Sequence, residues 1–133
     1  MLRTRAGRGV AAGIAGLGLA VALFVPSALA HRTATPALVG NSKAGKALFA
    51  TTCAACHTLK AAGALGNIGP NLDKVGPTLT QALLIKAITN GGSSIMTKAA
   101  IAKYPTQMTP YKYLGVKTIQ NISRYVYEST HKM

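Results

Sequence analysis

The chain has 133 residues, enough for one compact domain and too few for two of ordinary size. Its 15 Lys and Arg stand against 2 Asp and Glu, so the formal net charge is +13 although charged residues make up only 13% of the sequence. This near absence of acids favours acidic protein faces, anionic lipid or nucleic acid as partners. A hydrophobic content of 49% excludes a disordered polyelectrolyte, and two cysteines are too few for a disulfide framework.

Residues 1–30 are predicted to be an export signal. Arginines within the first eight residues precede an apolar run over residues 10–25, and Pro26 breaks the helix before a small-x-small sequence that ends at Ala30. Residues 9–29 also give 21 mostly apolar residues, so an uncleaved N-terminal membrane anchor is the alternative. Either way the domain is expected in the periplasm or at the outer face of the cytoplasmic membrane. Export therefore excludes nucleic acid as a partner despite the charge.

Irregular sequence surrounds the first predicted helix. Residues 31–41 lack periodicity and are expected to be a flexible lead-in. Asn41 or Ser42 can cap a helix over residues 43–52, which has one apolar side. The stretch 63–76 is rich in Gly, Pro and Asn, which predicts a loop without regular structure.

The second half of the chain predicts further helices. Thr78 followed three residues later by Gln81 fits a capping box, and the helix it starts is expected to stop before Gly91. Residues 95–103 can form a short helix, and apolar residues spaced three, three and four apart predict a last helix over residues 116–129. Because no alternating strand pattern or internal repeat is present, the predicted class is all-α with long loops.

Short helices and long loops leave little core, and only six aromatic residues follow residue 30. Cys53, Cys56 and His57 indicate what fills the centre, because C-x-x-C-H is the attachment motif for c-type haem. Two thiols one helical turn apart can each form a thioether with a haem vinyl group, and the adjacent imidazole can bind the iron. One covalently held haem c would then form the core.

The two cysteines have two other interpretations besides haem attachment. A disulfide or redox C-x-x-C needs no histidine beside it, whereas here His57 follows directly. A zinc site needs two more ligands, and the remaining histidines, His31 and His131, lie near the two ends of the mature chain. The motif therefore favours haem.

Around this motif the chain resembles class I cytochrome c over nearly all of residues 42–130. Gly45 and Phe49 match positions of that family's first helix, and Ile122 and Tyr125 match positions of its last helix. In the family these two helices cross, and the small residue allows their close approach. The resemblance implies an all-α, small cytochrome c fold, with three to five short helices and long loops wrapped around a covalently attached haem.

The resemblance also implies a backbone partner for the proximal ligand. The segment Gly-Pro-Asn-Leu-Asp at residues 69–73 resembles the family loop in which the proline carbonyl accepts the Nδ1 proton of the haem-binding histidine. A carbonyl acceptor fixes the imidazole tautomer and makes Nε2 a better donor to iron. Pro70 is therefore expected to orient His57.

Two methionines, Met96 and Met108, lie between the second and last predicted helices and could supply the distal thioether ligand. Residues 100–111 resemble the ligand loop of bacterial cytochrome c domains associated with terminal oxidases, so Met108 is the expected ligand. Thr109 is a departure, because the family usually has proline directly after this methionine. Met96 is expected to fill the core.

With His57 and Met108 bound, the iron would be six-coordinate and have no vacancy for a small-molecule substrate. The two acids, Asp73 and Glu128, form no recognisable catalytic constellation. The resemblance thus implies that the domain at residues 42–133 is a one-electron carrier and not an enzyme. The alternatives are a haem-bearing electron-transfer subunit of a larger oxidoreductase and, less favoured, a c-type haem peroxidase.

The expected partners follow from the charge and the family. Lysines around an exposed haem edge would guide the domain to acidic docking surfaces of a terminal oxidase or a quinol-oxidising complex. An anionic membrane surface is a further expected contact. Lys60, Lys103 and Lys112 are expected to lie nearest the edge, because they flank the haem motif and the proposed ligand loop.

Overall fold

A computed structural model describes residues 37–131, so the predicted export signal and the first part of the lead-in lie outside the described residues. The described part is mostly helical with one small antiparallel strand pair, which confirms the predicted all-α class. Among these residues, none of the helices is both long and apolar enough to cross a membrane. The elements are α1 (Ser42–Thr52), β1 (Thr58–Leu59), β2 (Ala64–Leu65), α2 (Leu72–Val75), α3 (Gln81–Asn90), α4 (Lys98–Lys103) and α5 (Val116–His131).

Helix α1 begins at a side-chain cap, as predicted. The Asn41 side chain accepts a hydrogen bond from the Ala44 N–H at 2.9 Å, which satisfies a backbone donor that the first turn leaves without a partner. The Asn41 N–H donates to Asn121 Oδ1 at 2.7 Å, and Val39 exchanges two backbone hydrogen bonds with the Gln81 side chain. The last residues of the predicted lead-in are thus tied to α3 and α5.

Helices α1 and α5 pack against each other at a glycine, as the resemblance implies. A Cβ on Gly45 would overlap the backbone carbonyl oxygen of Asn121 and lie 2.7 Å from Tyr125 Cβ. The rings of Phe49 and Tyr125 meet edge-on, with centroids 5.9 Å apart. Ile122, also on α5, is 1% exposed. The contact between α1 and α5 thus forms part of the hydrophobic core.

The start of α3 differs from the prediction. Thr80 caps the helix by accepting a hydrogen bond from the Leu83 N–H at 3.2 Å. Thr78 lies in the preceding one-turn 3-10 helix, where its hydroxyl donates to the Val75 carbonyl. The Gln81 side chain bonds across the fold and not back to the helix start, so the capping box is absent because tertiary partners take its glutamine.

The stretch 63–76 is also more regular than predicted. Strands β1 and β2 pair antiparallel, with Thr58 opposite Leu65, and Gly63 closes the hairpin at φ 63°. Asn71 caps the single-turn helix α2 by accepting from the Asp73 N–H. Such short elements have no periodicity that a sequence pattern could reveal.

Candidate functional site

The end of α1 places the cysteine motif on the wall of a cavity of about 490 Å³. The Cys53 N–H donates to the Phe49 carbonyl as the last bond of the helix. The chain then turns tightly, because the N–H groups of Cys56 and His57 both donate to the Cys53 carbonyl, at 3.1 and 3.0 Å. Both cysteines and the histidine consequently line the same mostly apolar cavity.

The two thiols differ in environment. Cys53 is buried and Cys56 is exposed, and the two are not joined. Burial, with a smaller contribution from Cys56, raises the pKa of the Cys53 thiol to about 12. This raised pKa keeps the Cys53 thiol protonated near neutral pH. Within residues 37–131, moreover, no group of three or more His, Cys, Asp or Glu could hold a metal ion.

The His57 imidazole has the partner that the resemblance implies. Its Nδ1 lies 2.9 Å from the Pro70 carbonyl oxygen, and because a carbonyl only accepts, the proton belongs on Nδ1. Nε2 is then left with a lone pair for a metal ion. The Gly69 N–H donates to the Cys56 carbonyl at 2.8 Å, which holds this loop against the motif.

Gly69 is a site residue whose role the sequence analysis missed. A Cβ at this position would lie 2.6 Å from His57 Cε1 and 2.9 Å from His57 Nδ1, inside van der Waals contact. The imidazole therefore packs directly on the glycine backbone. The sequence showed a Gly-Pro pair, but it contained no signal that a ring lies against this glycine.

Replacing Gly69 by Ala is expected to push the imidazole away from the Pro70 carbonyl and lower the fraction of purified chain that carries low-spin haem. The lost hydrogen bond and the overlap should together cost about 2 kcal/mol. Absorption spectra of the haem-loaded protein test this, with Asn67→Ala as the control because Asn67 is exposed on the same loop. An unchanged spectrum for Gly69→Ala would show that the ring can move without consequence.

The two methionines both line the cavity, which only partly agrees with the sequence prediction. Met108 also packs against the hydrophobic core, and its carbonyl oxygen would lie 2.7 Å from a Cβ on Gly91. The Tyr111 N–H donates to the Ile88 carbonyl at 2.8 Å and so fastens the end of this loop to α3. Met96 is half-buried in the cavity wall and is not part of the core cluster, so the prediction that it fills the core is wrong. The spacing of apolar residues in the sequence could not show that Met96 lines the cavity, because Met96 belongs to no helix or strand.

Both acidic side chains are engaged away from the cavity. The Asp73 carboxylate accepts from the Lys60 N–H at 2.9 and 3.2 Å, and Glu128 pairs with Arg124 at 2.6 Å. Neither acid lines the cavity. The site thus has no carboxylate for general acid or base chemistry.

These residues fit a c-type haem. The cavity has the size of a cofactor site and a mostly apolar wall. Its donors are two thiols, an imidazole whose proton is held on Nδ1, and thioether sulfurs, which are the groups that attach haem and bind its iron. Cys53, Cys56, His57 and Met108 line it directly, and Pro70 joins them through its carbonyl. Their roles toward haem stay predictions.

Comparison with protein families matches residues 42–129 to the family described as Cytochrome c. The matched region contains the cysteine motif, Pro70, Met96 and Met108. Neither the search of curated proteins nor the search of solved structures returned a match.

Proposed function

Because the chain belongs to the cytochrome c family, for which haem-based electron transfer is the typical activity, we propose that it is an exported one-electron carrier between respiratory or other redox complexes. It would work in the periplasm or at the outer face of the cytoplasmic membrane, as the sequence of residues 1–30 predicts. The observation that carries the proposal is the His57 Nδ1 to Pro70 hydrogen bond beside two cysteines in one apolar cavity.

The residues of the site have separate tasks in this proposal. Cys53 and Cys56 hold one haem through thioethers, which prevents its loss to other proteins. His57 binds the iron through Nε2, and Pro70 keeps the proton on Nδ1 so that the imidazole neither rotates nor changes tautomer. Met108 supplies a soft thioether, which favours the ferrous state and raises the potential. Bound haem supplies the ferric and ferrous states of a reversible one-electron couple.

The rest of the site supports a carrier more than an enzyme. If His57 and Met108 both hold the iron, no position would be left on it for a substrate, and the wall around it is mostly apolar. Neither of the two acids lines the cavity, so the site has no carboxylate to act as a general acid or base. Electron transfer at a haem edge needs neither a vacant position on the iron nor a general acid or base.

Exogenous ligand binding separates a carrier from a peroxidase. Ferric protein purified with its haem is expected to bind cyanide slowly, because the Met108 thioether must first leave, and to turn over peroxide no faster than the background reaction. Stopped-flow absorption measures the first and a chromogenic peroxidase assay measures the second. Rapid cyanide binding together with peroxide turnover would contradict the carrier proposal.

Docking is proposed to use lysines around the cavity mouth and an acidic face on a partner such as a terminal oxidase or a quinol-oxidising complex. Lys98, Lys103 and Lys112 are exposed, and each directly adjoins a residue of the cavity wall in sequence. Lys60, also expected near the edge, has its backbone bonded to the Asp73 carboxylate, which offsets part of its charge. The first three lysines are therefore the better probes.

Reversing the charge of Lys98, Lys103 and Lys112 to Glu is expected to slow electron transfer to the physiological partner at low salt by at least tenfold, because steering depends on local potential. The matched control reverses Lys43, Lys46 and Lys117, which are exposed and adjoin no residue of the cavity wall. Both triples change the net charge equally. Equal slowing by both would mean that only net charge matters and that the docking face is elsewhere.

A further inference from the structure

Two thioethers lie close together in the wall of the cavity. A Cβ built on Gly92 would be 3.7 Å from the sulfur of Met96 and 3.9 Å from the sulfur of Met108. The two sulfurs are therefore no more than about 7.6 Å apart. Gly92 has no side chain to separate them. His57, the proximal ligand in the proposed function, lines the same cavity.

Neither methionine is held inside a regular element. Met96 falls between the one-turn 3-10 helix Gly92–Ser94 and the first residue of α4, and its N–H makes a long bond of 3.4 Å to the Ser93 carbonyl. Met108 lies in the irregular segment between α4 and Tyr111. Irregular backbone of this kind can rearrange locally without breaking a helix.

The surrounding structure holds Met108 more firmly than Met96. Met108 touches the hydrophobic core, and its backbone is pressed against Gly91. It also lines a second, smaller cavity of about 60 Å³ that reaches the core, which Met96 does not. Met96 has neither anchor. Met108 is thus better positioned to hold a fixed ligand geometry, and Met96 is the freer of the two.

We propose that Met96 is a reserve iron ligand, whose thioether takes the distal position when that of Met108 is displaced. The inference rests on the proposed function, because it requires a bound haem. In the exchange one iron–sulfur bond breaks and another forms. Both ligands are neutral thioethers, so no proton moves and the iron keeps its oxidation state. Met96 would thereby keep water and small ligands off the iron during excursions of the Met108 loop.

The test compares haem-loaded full-length protein with Met96→Leu, Met108→Leu and the double variant. Leucine cannot bind iron but keeps most of the apolar volume. The thioether-to-iron charge-transfer band of the ferric protein is expected in wild type and in Met96→Leu. Met108→Leu should keep a shifted band, and the double variant should lose it. Imidazole should bind the double variant at least tenfold more tightly than Met108→Leu, because no thioether then competes.

Two results would overturn the reserve-ligand proposal. One is a Met108→Leu protein without the band that binds imidazole as tightly as the double variant. The other is loss of the band from Met96→Leu alone, which would make Met96 the primary ligand. If Met108→Leu fails to load haem, Met108→Ala takes its place with the same readings. In these cases wild type still shows covalent haem with thioether ligation, so the proposed function survives; wild type without covalent haem would instead defeat the proposed function.

Discussion

Replacing both motif cysteines, Cys53→Ala and Cys56→Ala, is expected to abolish covalent haem and leave the chain largely unfolded. Among the largest fully buried side chains of the described residues, two, Ser123 and Thr130, are polar. A domain this short with a mostly apolar cavity of about 490 Å³ is expected to depend on the haem to complete its core. Without it the apolar wall would face water.

Haem staining of a denaturing gel measures the covalent bond, and circular dichroism measures the loss of helix. Each single variant keeps one thioether, so both should retain some haem on the gel and part of the helical signal. Ala55→Ser, between the two cysteines, is the control and should behave as wild type, because Ala55 is exposed. Wild-type protein that releases all of its haem into acidified acetone would contradict covalent attachment.

Replacing Gly45 by Ala is expected to lower the free energy of unfolding by about 2 kcal/mol. In an ordinary helix this change adds about 1 kcal/mol of stability, because alanine is the better helix former. Here the new methyl group would overlap the Asn121 backbone carbonyl, and a backbone atom cannot move aside by changing rotamer. Helices α1 and α5 would have to separate, so the overlap outweighs the gain in propensity.

Thermal unfolding of the haem-loaded protein measures the effect, and a loss of this size corresponds to a melting temperature lower by roughly 10 °C. The control is Ala50→Leu, which adds bulk to an exposed position of the same helix at little cost in helix propensity. A Gly45→Ala variant as stable as wild type would mean that the two helices tolerate a wider spacing.

Local chemistry explains what could be predicted before the structure. The two cysteines of C-x-x-C-H lie one helical turn apart and the histidine follows directly. This short stretch of sequence is therefore enough to indicate haem attachment. The Asn41 cap and the stop of α3 at Gly91 are likewise interactions within four residues. The roles of Gly45, Phe49, Ile122 and Tyr125 came from resemblance to the family, and the packing of α1 on α5 agrees with them.

Contacts between distant parts of the chain decided the features that the sequence did not predict. Thr80 and not Thr78 caps α3, and the Gln81 side chain completes no capping box because it bonds to Val39, which lies 42 residues earlier. Gly69 matters because the ring of His57, from another segment, packs on it. Met96 faces the cavity because the turn at Gly92 brings it beside Met108. By itself the sequence indicated the haem-attachment motif and the Asn41 cap of α1, since both depend on residues within one turn; only the tertiary structure decided which side chains share one cavity, because that depends on how separate segments pack.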